Sequence, residues 1–187
     1  MSIETPEYDV LQKDGNFEIR QYKDYITASV EVKSNYRDAW NSGFRILADY
    51  IFGNNKSKTH IAMTAPVTEQ NVTNEKLDMT APVTSTVVDK GKKYIISFSM
   101  PAKYAMENLP EPVNKQIKLQ KVKPFKAAAI IFRGYMNEKS AMKRAADLQL
   151  WMRQNNLSTK STLILAQYNP PWILGPFRRN EIIAKLD

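Results

Sequence analysis

The chain has no cysteine and a single histidine among its 187 residues. The first absence removes disulfides, thiolate-held zinc, iron–sulfur clusters and thiol nucleophiles together. The second leaves His60 as the sole imidazole base for a serine nucleophile, and no G-x-S-x-G elbow is present. The six glycines are dispersed, so there is no glycine-rich phosphate loop. Long apolar runs are missing too: none approaches the roughly 20 residues that a membrane helix needs. The start, Met1-Ser2-Ile3-Glu4-Thr5-Pro6, lacks the features of a signal peptide. A cytoplasmic location is expected. The net charge of +8 is spread singly or in pairs, as in Lys92-Lys93, Lys143-Arg144 and Arg178-Arg179. No basic run is interleaved with aromatics, so no nucleic-acid partner is expected. A protein partner is left open.

What is present reads as a globular protein. Hydrophobic residues make up 43% and charged residues 25%, ordinary values for a chain that buries a core. Its most distinctive feature is a repeated phrase, Met63-Thr64-Ala65-Pro66-Val67 and Met79-Thr80-Ala81-Pro82-Val83, each followed by threonine. β-branched and apolar residues favour extended chain, and proline limits such a segment to an edge, an end or a bulge. The spacing predicts a hairpin or two neighbouring strands, with Met63 and Met79 as core or pocket-lining residues.

Along the chain, Asp14-Gly15 marks a turn after a short N-terminal arm, with Phe17, Ile19 and Gln21 on one face of a strand. Ile26, Ala28, Val30 and Val32 alternate with polar residues at the period of a half-buried strand. Ser34 and Asn35 are N-cap candidates for a helix carrying Tyr36, Trp40, Phe44, Leu47 and Ile51, with Gly53 as its stop. Residues 94–100 alternate again, and the proline-bearing stretch 101–114 reads as a linker. Beyond it the pattern recurs. Ile19 matches Leu119, Tyr22 Val122, Tyr25 Phe125, Ala28 Ala128 and Val30 Ile130. A second helix over 138–155, burying Ala141, Ala145, Leu148 and Met152, and strands near 162–168 and 181–186 complete the second copy. Each half is ββαββ. Neither half covers its own apolar sheet face, so the two are expected to pack about a pseudo-twofold axis. The expectation is one domain over residues 1–187, with repeats at about 8–100 and 115–187.

The paired M-T-A-P-V phrases resemble the SOUL haem-binding protein family. So do Phe17-Glu18-Ile19-Arg20-Gln21-Tyr22, Leu109-Pro110-Glu111-Pro112, Tyr168-Asn169-Pro170-Pro171 and Arg178-Arg179-Asn180-Glu181, in that order. The resemblance implies an α+β fold: a distorted antiparallel β-barrel flanked by two helices. It also implies a non-enzymatic protein that carries or buffers haem or another tetrapyrrole. The same double unit is similar to gyrase-inhibitor-like modules, which sense small amphipathic molecules or contact a protein partner.

The candidate binding surface combines the first helix, through Ala39, Gly43, Arg45, Ile46, Leu47 and Tyr50, with the apolar loop carrying Trp172, Ile173, Leu174 and Phe177. A flat tetrapyrrole suits such a groove, with Arg45 meeting its propionates. Where the tetrapyrrole-binding members of the family offer basic side chains, this chain reads Asn41, Asp49 and Ile173. His60 is a candidate haem-iron ligand, although a lone histidine beside the polar run Lys56-Ser57-Lys58-Thr59 is more often solvated. No dedicated metal site is expected. Glu181, next to Arg178 and Arg179, reads as an ion-paired carboxylate rather than a catalytic one.

Overall fold

Alternating strands and two capped helices set the architecture. The computed structural model describes residues 4–56, 77, 81–89, 93–169 and 172–187. Its elements run β1 (Tyr8–Asp14), β2 (Phe17–Tyr22), β3 (Tyr25–Lys33), α1 (Tyr36–Ile51), β4 (Asn55–Lys56), β5 (Val83–Asp89) and β6 (Lys93–Ser99). They continue as β7 (Glu111–Pro112), β8 (Lys118–Val122), β9 (Phe125–Arg133), α2 (Glu138–Gln154), β10 (Ile164–Gln167), a short 3-10 turn (Gly175–Phe177) and β11 (Arg179–Lys185). Nine strands form one antiparallel sheet in the order β1-β2-β9-β11-β10-β5-β6-β3-β8, while β4 and β7 pair separately. The sheet curls into a distorted half-barrel with β1 and β8 as its edges.

That order is a palindrome once β1 is set aside. Exchanging β2 with β8, β3 with β9, β5 with β10 and β6 with β11 returns the same sheet. The axis of the exchange passes between β5 and β10. The registers agree with it. Ile19 faces Ala128 where β2 meets β9, and Ala28 faces Leu119 where β3 meets β8, which is the same pairing displaced by 100 residues. The fold is the expected pair of ββαββ repeats.

Both helices lie on one face of the sheet. α1 packs on β3 and β6, and α2 on β9 and β11. Asn35 caps α1 by accepting a hydrogen bond from the Asp38 amide at 3.0 Å. Asn137 and Ser140 close a reciprocal capping box at the start of α2. Beneath α1, Ala28, Val30, Leu47, Ile51, Ile96 and Phe98 are buried together. Beneath α2, Ile19, Ala128, Ile130, Leu148, Trp151 and Ile182 form the equivalent core. Because side chains alternate across a strand, the odd-numbered residues of β3, β6, β9 and β11 project onto the other, inner face.

Two expectations need correcting. The N-terminal arm is a strand, β1, paired antiparallel with β2 through the Asp14-Gly15 turn, where Gly15 takes φ +56°. The stretch 101–114 is not plain linker, since Glu111–Pro112 pairs with Asn55–Lys56 and the Tyr50 hydroxyl donates to the Pro110 carbonyl at 2.9 Å. The first proline phrase, His60, Met63 and Met79 lie outside the described residues. Of the second phrase, Ala81 is buried and Val83 opens β5.

Candidate functional site

The inner face of the sheet carries a buried ion network that joins β2 to β11. Arg20 on β2 is fully buried, as is Glu181 on β11. Arg20 Nη1 donates to Glu181 Oε2 at 2.6 Å, and Nη2 donates to Oε1 at 3.1 Å. Arg20 Nε also donates to Glu18 at 2.8 Å, and its guanidinium lies 4.3 Å from the centre of the Tyr8 ring. Arg179 adds two hydrogen bonds to Glu181 Oε1, and the Tyr168 hydroxyl donates to Oε2 at 2.8 Å. Burial alone would raise the Glu181 carboxyl. The hydrogen bond and charge of Arg20, with the charge of Arg179, outweigh it and hold the group below the usual carboxylate range. Glu181 is therefore an ionised, fully engaged structural carboxylate. The expected pairing with Arg179 is present. Arg178 instead stacks on Tyr135 at 4.6 Å, and the second partner of Glu181 is Arg20, 161 positions away in sequence.

Beside this network the inner face opens into a trough of about 430 Å³. Hydroxyls from Thr27, Ser29, Thr84, Thr86 and Ser97 line the part built from the first repeat. Phe125, Ile164, Tyr168 and Ile183 line the part built from the second, with Tyr22 stacked on Phe125 at 4.8 Å. Lys185 Nζ stands 4.4 Å from the centre of the Phe125 ring, and burial lowers its pKa.

The expected groove residues fall into two groups. On α1, Ala39, Leu47 and Tyr50 are fully buried against the sheet and the 109–110 segment. Gly43 is buried because the helix crosses β6 closely: a Cβ there would lie 2.5 Å from Ile96 Cγ1. These four set how α1 seats on the sheet. Arg45 is exposed on the outer side of the helix and Ile46 is half-buried beside it. On the loop, Trp172, Leu174 and Phe177 are 77%, 65% and 67% exposed, while Ile173 is half-buried. The loop is tied to the end of β9, where the Gly134 amide donates to the Gly175 carbonyl at 3.0 Å and Gly175 lies against the Tyr135 ring. At the end of β10, Gln167 approaches Tyr36 in the first turn of α1. Burial pushes the Tyr36 phenol up to about 12, with Ser85 and Gln167 near enough to oppose the shift. The Tyr36 and Ser85 hydroxyls are nonetheless both buried without closing a hydrogen bond. Asn41 and Asp49 are exposed.

Among the described residues no cluster of three or more histidine, aspartate or glutamate side chains could hold a metal ion. None of their helices is long and apolar enough to cross a membrane.

The half-barrel recurs in solved structures at low identity. The EcmrR C-terminal domain is 12% identical with a TM-score of 0.64, over 96% of this chain and 98% of that one. A hydrolase from Listeria innocua is 10% identical with a TM-score of 0.59, over 95% and 94%. SAV2435 bound to tetraphenylphosphonium is 10% identical with a TM-score of 0.51, over 91% and 93%. These likenesses show the fold. No curated protein sequence matches the chain. The model of one family does match, over residues 3–74 and 68–185, which together span both repeats. With nearly the whole chain covered and the duplicated half-barrel in place, the protein belongs to the SOUL haem-binding protein family.

Proposed function

We propose that this protein is a non-enzymatic tetrapyrrole-binding protein that carries or buffers haem or a related porphyrin. The observation that carries the reading is the exposed apolar surface of one loop. Trp172, Leu174 and Phe177 are each at least 65% exposed, and Tyr135, 56% exposed, adjoins them. Large apolar side chains grouped on a surface mark interaction sites more often than singly scattered ones do. Arg133 and Arg178 stand beside them as cations for propionates, and Arg45, exposed on α1, is a further candidate cation. Ala39, Gly43, Leu47 and Tyr50 act from beneath, by fixing where α1 sits.

Binding of this kind draws on the porphyrin faces rather than on iron. With apolar burial contributing about 25 cal/mol per Å², a covered macrocycle binds without a strong axial bond. His60 is then dispensable, and metal-free porphyrin binds about as well as haem. Titration with haem and with metal-free porphyrin tests this. Both should saturate with low-micromolar midpoints, haem with a shifted Soret band; no shift up to saturation would reject the reading.

A second reading, an effector-binding module of the gyrase-inhibitor-like type without physiological haem binding, is favoured by the inner-face trough. SAV2435, which shares the fold, was solved with a small organic ligand. A small molecule bound in the trough, together with no haem response, would support this reading.

A further inference from the structure

The two halves of the sheet share a backbone plan but present different chemistry to the trough. The strand pairings place Ser97 where the second half has Ile183, because Ser97 faces Ser29 and Ile183 faces Ala129. By the same registers Thr84 corresponds to Ile164, and Thr86 to Ala166. Hydroxyls thus line one side, while aliphatic and aromatic side chains line the other. A hydroxyl floor facing an apolar wall suits a ligand with a flat apolar body and a polar edge.

The charges sort this site further. The ionisable groups of the network and trough are Tyr8, Lys13, Glu18, Arg20, Tyr22, Tyr25, Lys118, Tyr168, Arg179, Glu181 and Lys185. Glu181 is consumed by Arg20, Arg179 and Tyr168, and Glu18 by Arg20 and Lys13. Tyr22, Tyr25 and Tyr168 are held neutral, since burial raises each of them. Among the described residues, the charged ones that line the cavity itself are Lys118 and Lys185, both cations. Lys185 is half-buried, and no carboxylate among the described residues pairs with it. A half-buried ammonium without a counter-charge is costly in the empty protein, and an incoming anion relieves that cost.

We propose that the inner-face trough is a binding site for a small planar aromatic anion, its ring between Phe125 and Ile183 and its negative group at Lys185. This rests on the ligand-holding capacity of the trough and not on the tetrapyrrole reading, which concerns the outer loop. A cavity of about 430 Å³ takes a bicyclic ring with one acidic substituent. An organic cation is disfavoured, because no free carboxylate among the described residues lines the cavity to receive it.

Calorimetric titration with 2-naphthoate and with 2-naphthyltrimethylammonium tests the charge assignment on the full chain. The anion should bind with a dissociation constant below about 100 μM, and the cation at least tenfold more weakly. Lys185→Met keeps the apolar stem and removes the charge, and should weaken naphthoate at least tenfold. Lys185→Arg should restore most of the affinity. Ser97→Phe should block the anion by filling the floor, which covers the case in which Lys185→Met fails to fold. Trp172→Ala should leave naphthoate binding unchanged, separating this site from the porphyrin surface. Equal or tighter binding of the cation, unchanged affinity in Lys185→Met, or no naphthoate binding at millimolar concentration would each overturn the proposal.

Discussion

Replacing Glu181 by alanine probes the buried ion network that ties β2 to β11. The carboxylate takes two hydrogen bonds from Arg20, two from Arg179 and one from Tyr168, and Arg20 is wholly buried. Removing it leaves Arg20 with Glu18 as its remaining carboxylate, and Glu18 is shared with Lys13. Breaking one side of a buried pair costs about 3–5 kcal/mol, because the other charge stays desolvated. For a chain of this size each kcal/mol moves the melting temperature by about 2–4 °C, so a fall of roughly 6–20 °C is expected. Urea titration at pH 7 reads the free energy directly. The sign of the pH effect follows from the lowered Glu181 carboxyl. Its contribution is fully present above the unfolded value of 4.5 and is lost as pH falls through the lower folded value. The difference between parent and Glu181→Ala should therefore hold through neutral pH and shrink below about pH 4.5. The double variant Arg20→Met, Glu181→Met should cost less than the sum of the single changes, since no buried charge is stranded. A loss below 1 kcal/mol for Glu181→Ala would refute the network as a structural element.

Other consequences are local. Gly43→Ala gains about 1 kcal/mol of helix propensity but drives a Cβ to 2.5 Å from Ile96 Cγ1, so a net loss of about 1–2 kcal/mol in urea titration is expected. A stabilised Gly43→Ala would mean that α1 is free to lift from β6. Asn35→Ala removes the acceptor for the Asp38 amide and should cost about 1 kcal/mol, with Asn35→Ser retaining most of the stability, whereas Asn35→Asp should not, because Asn35 Nδ2 also donates to the Asp38 carboxylate.

The fold was legible where local chemistry and periodicity agree. Asn35 at the head of α1 and the alternation from Ile26 to Val32 each announce themselves within a few residues. The correspondence of Ile19 with Leu119 and Ala28 with Ala128 survives as strand register because both halves bury the same face of the sheet. β1 was missed because most of it is exposed, as an edge strand is, and offers no alternation to read. Helical spacing alone singles out the groove candidates on α1. Such a pattern marks an apolar stripe without saying whether sheet or ligand covers it. Ala39, Leu47 and Tyr50 face the sheet. Arg20 meets Glu181 across 161 positions of sequence, and the trough is assembled from eight strands, so neither has a local signature. A cue for the trough was nonetheless present: Thr27, Ser29, Thr84, Thr86 and Ser97 occupy the polar phase of strands whose other phase is core.

The central claim, tetrapyrrole binding by apolar contact at the Trp172 loop, is tested most directly by comparing porphyrin affinities of three proteins. Haem and metal-free porphyrin are titrated into the parent, His60→Ala and Trp172→Ala under the same conditions. His60→Ala should stay within about threefold of the parent for haem, a change below 1 kcal/mol. Trp172→Ala should weaken both ligands about tenfold, as expected for losing some 60 Å² of apolar contact. A large loss of haem but not of metal-free porphyrin in His60→Ala, with Trp172→Ala unchanged, would contradict the account and make His60 the axial ligand.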